Sequence, residues 1–97
     1  MNIGTAIKTL RKHKGFSQKD LSQAVGISQN ALSLIEANVT FPQKNTIKSI
    51  CEKLGIPESY LLFFSLSEDD VPIEKRSAFI SLNDAMKAFL LSDSVKK

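Results

Sequence analysis

The chain has 97 residues, enough for one domain with a real core and too few for two. Hydrophobic residues make up 42% and charged residues 24%, a balance that places the chain among soluble globular proteins and not disordered ones. Net charge is +3, but residues 1–56 carry eight basic and three acidic side chains against five and seven in residues 57–97, so a polyanion would meet the first half.

Ile3, Ala6, Ile7 and Leu10 recur at helical spacing, with Lys8, Lys12 and Lys14 off the stripe, and the first helix ends at Gly15. His13, at the end of this helix, suits the negative end of the helix dipole. Ser17 offers an oxygen to the next helix, with Asp20 three residues on, which predicts a second helix over about Gln18–Val25. Gly26 stops that helix and Ser28 caps a third, over about Gln29–Ala37, so the two cross steeply after a very short connection. Asn38 suits a left-handed cap, and Pro42 marks a loop.

A fourth helix is expected over about Lys44–Leu54, stopping at Gly55, and a fifth over Glu58–Phe64 behind Pro57. The run Ser67–Pro72 is acidic and breaks the composition, as a linker does. Beyond it Phe79, Leu82, Met86 and Phe89 make a sixth amphipathic segment within 73–91, which Ser81 and Asn83 leave open to interruption. The expectation is an all-α chain: residues 1–66 as a five-helix domain, 67–72 as an acidic linker, and 73–97 as a helical extension that packs back or pairs with a second copy.

These residues resemble the phage-repressor-like helix-turn-helix proteins, the Xre or Cro family. The resemblance covers Ile3 to about Phe64. It rests on Gln18 after Phe16-Ser17, on Leu21, Ala24, Gly26-Ile27-Ser28 and Leu32, and on Ile35-Glu36, Pro42 and Leu54-Gly55-Ile56. It implies a repressor-like fold and double-stranded DNA as partner, with Gln29, Asn30, Ser33 and Leu34 of helix three meeting base edges in the major groove. It implies phosphate contacts from Gln18, Ser28, Lys44 and Asn45, which fix register without reading sequence. It also implies that Arg11 pairs with Glu36 and sets the angle of helix three.

Two readings of function follow. One is a transcriptional regulator that binds a palindromic operator as a homodimer, with Phe63, Phe64, Phe79, Leu82, Met86 and Phe89 as candidate interface residues. The other is a protein-interaction module on the same fold, such as an antitoxin or an anti-repressor partner. That alternative draws on the loop 37–42, which has no Lys or Arg, beside the apolar Ala31 and Leu34.

An enzyme is not expected. Asp20, Glu36 and Glu52 lie on three helices with no His, Cys or second carboxylate at a spacing that builds a site. No glycine-rich phosphate loop or zinc pattern is present in the sequence, so no cofactor and no metal is expected. The single cysteine, Cys51, falls on the apolar stripe of helix four and reads as a core residue. No stretch approaches the roughly 20 apolar residues that span a bilayer, and the N-terminus has no apolar leader, so the expected location is the cytoplasm.

Overall fold

Among the described residues of the computed structural model, five large apolar side chains are fully buried, and each comes from a different helix: Ile7, Leu21, Leu32, Ile50 and Leu61. Their helices are α1 (Ile3–His13), α2 (Gln18–Val25), α3 (Gln29–Glu36), α4 (Lys44–Leu54) and α5 (Glu58–Ser65). Burying each such side chain contributes about 1.5–3 kcal/mol, so each of these five helices is anchored by at least one large apolar residue. Around this centre α1 packs on α5 and α3, α2 packs on α3 and α4, and α4 meets α5. All the described elements are helical, and residues 1–92 are described.

Local chemistry accounts for the helix ends. Ser17 Oγ accepts from the Asp20 N–H at 2.9 Å, and Ser28 Oγ accepts from the Ala31 N–H at 2.9 Å, each relieving an orphan donor of the first turn. Gly26 ends α2 at φ +85°, a left-handed conformation that costs glycine least, and its N–H donates to the Ser22 carbonyl at 2.9 Å. The connection is therefore tight enough to lay α3 against α2.

Two compact units are present among the described residues, Asn2–Leu66 and, with Met1, residues 67–92. In the second unit the acidic run forms a short 3-10 turn, Glu68–Asp70. There the Ser67 N–H donates to Asp70 Oδ2 at 2.9 Å and holds that carboxyl below the usual carboxylate range. Another 3-10 turn, Ile73–Lys75, leads into α6 (Arg76–Leu90), and Arg76 Nε donates to the Val71 carbonyl at 3.0 Å. α6 is unbroken through Ser81 and Asn83, so their weak propensity is overridden. Residues 93–97 of the expected extension 73–97 lie outside the described residues.

Candidate nucleic-acid interface

α3 is built with two unlike faces. Leu32, Ile35 and Glu36 are buried, whereas Gln29, Asn30, Ser33, Leu34 and Ala37 are exposed. At 100° per residue Asn30, Ser33, Leu34 and Ala37 fall on one side of the helix, with Gln29 beside them at its N-terminus. Polar amides thus begin this surface and apolar side chains end it. Ser28, the cap, is also exposed, so the first turn of α3 is open to solvent on the side that carries Gln29 and Asn30.

The C-terminal end of α3 is held by charge. Arg11 Nε donates to Glu36 Oε2 at 2.6 Å and Arg11 Nη2 donates to Glu36 Oε1 at 3.0 Å, a two-pronged pair with side chains only 7% and 2% exposed. Arg11 Nη1 also donates to the Phe16 carbonyl at 2.8 Å, which ties the α1–α2 turn to the same guanidinium. Gln18 completes the cluster: its Nε2 donates to Glu36 Oε1 at 3.0 Å. One of its two amide hydrogens is thus committed inside the domain, a role the sequence reading had not assigned to it.

Lys44 and Asn45 open α4 and are both exposed. Between α3 and α4, Val39 and Phe41 are 71% and 69% exposed, and the segment 37–43 carries no charge. Among residues 2–56 the exposed charges are seven lysines against Asp20 and Glu52, because Arg11 and Glu36 neutralise each other inside. The positive excess of the first half therefore lies wholly on its surface.

The candidate interface residues on the C-terminal side divide by burial. Phe64 is buried, and its ring stands edge-on to that of Phe63 with centroids 6.2 Å apart, so Phe64 is a core residue and not part of an exposed patch. Phe79 is half-buried. Leu82 and Phe89 are each 72% exposed and Met86 is also exposed, and the three share one side of α6.

Sequence reasoning missed Asn38 as more than a cap. Its backbone is left-handed at φ +61°, and its side chain reaches back across the domain to α1. The partners lie 33 and 34 residues away, and no local pattern signals them. Among the described residues no group of three His, Cys, Asp or Glu is arranged to hold a metal ion, and no helix is long and apolar enough to cross a membrane. Cys51 is buried, and burial together with the nearby Glu58 carboxylate pushes its thiol up to about 11.

Comparison with known proteins agrees with this architecture. An uncharacterised HTH-type transcriptional regulator of Mycobacterium tuberculosis is 37% identical over 56 residues, which are 58% of this chain and 22% of that protein. The HTH-type transcriptional regulator SutR of Escherichia coli is 35% identical over 57 residues, 59% of this chain and 32% of SutR. The chain thus spans about a fifth to a third of the length of these curated relatives. Among solved structures, the clp gene regulator ClgR of Corynebacterium glutamicum superposes with a TM-score of 0.65 at 20% identity, over 90% of this chain and 85% of that one, a likeness of fold. The family profile described as a helix-turn-helix domain matches residues 4–63, and the chain belongs to that family.

Proposed function

We propose that this chain is a sequence-specific DNA-binding transcriptional regulator that reads a palindromic operator as a homodimer, with α3 in the major groove. The observation that carries the reading is the two-faced α3, whose buried side and Glu36 are fixed in the domain while Gln29, Asn30, Ser33 and Leu34 stand outward. The amides of Gln29 and Asn30 match adenine N6 and N7, and Leu34 suits a thymine methyl group. Ser28, Lys44, Asn45 and the second amide hydrogen of Gln18 serve phosphates and set the register.

In this reading residues 1–66 bind DNA, 67–72 are an acidic linker, and 73–97 bring two copies together. The exposed Leu82, Met86 and Phe89 support a pairing surface on α6, since apolar side chains left in water favour association. A paired chain meets two half-sites at once, which offsets the weak hold of a single small domain. Such a regulator acts in the cytoplasm, beside its DNA. The exposed Leu34, Val39 and Phe41 favour a second reading, a surface for a protein partner such as a toxin or an anti-repressor.

Selection from a pool of random duplex DNA at two salt concentrations tests the first reading. The expected product is an inverted repeat with half-site centres about 10 base pairs apart. On that operator Gln29→Ala is expected to lower the ratio of specific to scrambled binding by about 5- to 150-fold. Lys44→Ala is expected to weaken both duplexes alike and flatten the salt slope by about 1. Salt-sensitive background with no enriched sequence overturns the reading and directs attention to the protein-partner surface.

A further inference from the structure

The first turn of α1 lacks a cap of its own: Asn2 precedes it and makes no side-chain cap hydrogen bond. An orphan N–H there is satisfied from elsewhere in the domain. Asn38 Oδ1 accepts from the Gly4 N–H at 2.9 Å, and Asn38 Nδ2 donates to Thr5 Oγ1 at 2.9 Å. The two bonds fix which end of the carboxamide faces which partner, because a backbone N–H can only donate. Gly4 allows the approach. A β-carbon added at Gly4 would lie 1.9 Å from the Ile35 carbonyl oxygen and 2.7 Å from Asn38 Oδ1, so α1 rests directly on the end of α3.

The end of α3 is therefore tied to α1 twice. Glu36 is bound to Arg11, and Asn38 to Gly4 and Thr5. Along α1 these attachments are seven residues apart from Gly4 to Arg11, about 10 Å at 1.5 Å per residue. A rod whose end is tied at one point can pivot, and one whose end is tied to two points spread about 10 Å along its support resists that rotation. The opposite end of α3 carries Gln29 and Asn30, about 10–12 Å from the clamps. A rocking of about 10° about the clamped end would carry those amides through about 2 Å, more than a hydrogen bond tolerates.

From this geometry we infer that Asn38 is a positioning residue for base reading: its carboxamide latches the end of α3 to the first turn of α1 and holds the recognition face at its working angle. The inference rests on α3 being the DNA-reading helix. Left-handed backbone alone does not require asparagine, since glycine adopts it at less cost, so the side chain's bonds are what asparagine adds at this position.

The test uses the full chain and the operator selected by the wild-type protein. Asn38→Gly keeps the left-handed backbone and deletes both bonds, while Thr5→Val, at an exposed position, deletes only one. Dissociation constants are measured for the operator and for a scrambled duplex at one salt concentration, well below the melting temperature of each variant. The expected result is a loss of about 10-fold on the operator for Asn38→Gly, with scrambled binding changed by less than about 2-fold, and a smaller loss for Thr5→Val. The double variant is expected to be no worse than Asn38→Gly, as for two residues that share one interaction. A lower melting temperature with an unchanged operator-to-scrambled ratio overturns the positioning role and leaves the DNA reading standing. A wild-type protein that selects no operator overturns both.

Discussion

Replacing Glu36 with alanine strands the Arg11 guanidinium. In the native domain that group donates to both carboxylate oxygens, at 2.6 and 3.0 Å, and to the Phe16 carbonyl at 2.8 Å, with its side chain 7% exposed. Without Glu36 only the Phe16 carbonyl remains to a buried positive charge, and Gln18 loses its acceptor as well. Breaking a buried pair in this way costs about 3–5 kcal/mol, against about 5–15 kcal/mol for the total stability of a small domain. The melting temperature should fall by more than about 12 °C, at about 4–8 °C per kcal/mol for a domain of this size. Removing both charges tells a different story. Arg11→Met with Glu36→Leu leaves no unpaired ion, and the double variant should be more stable than Glu36→Ala alone. Guanidinium denaturation followed by helical circular dichroism measures each midpoint and slope. Single-variant losses below about 1 kcal/mol, the range of an exposed pair, would refute the reasoning, as would losses that simply add.

Gly4→Ala reverses an ordinary rule: in a helix alanine is favoured by about 1 kcal/mol, but here its methyl meets the Ile35 carbonyl, and a net loss of at least about 2 kcal/mol is expected by chemical denaturation. A stabilised variant would count against the close approach. Cys51 gives a pH signature. Its thiol is pushed from 9.0 to about 11 in the folded chain, so the neutral form is favoured by folding. That contribution is fully present below pH 9 and is lost as pH rises through about 11, on the order of 2–3 kcal/mol in all. Cys51→Ala should remove that part of the alkaline slope, read as the difference between the two stability curves, and identical slopes would contradict it.

Much of the fold is legible because its signals are local. A helix repeats every 3.6 residues and ends within a turn of its cap, so Ile3–Leu10, Ser17, Gly26, Ser28 and Gly55 mark α1 to α4 without reference to the rest of the chain. The resemblance added pairings that spacing alone does not give, such as Arg11 with Glu36. α6 is the element where local reasoning was least decisive. Ser81 and Asn83 are poor helix formers, yet Arg76–Leu90 is one helix, since apolar patterning over 15 residues outweighs two small propensity terms.

The sequence by itself determined the helices, their order, the steep α2–α3 turn and the polar start of α3, because each depends on residues within about one turn of one another. Tertiary structure decided which like residues differ in fate. Phe64 is buried while Phe89 stands in water, and Gln18 spends an amide hydrogen on Glu36. Asn38 finds Gly4 and Thr5 more than thirty residues away. Such contacts depend on how helices pack, and a side chain's burial and partners are properties of that packing, which no short window of sequence encodes.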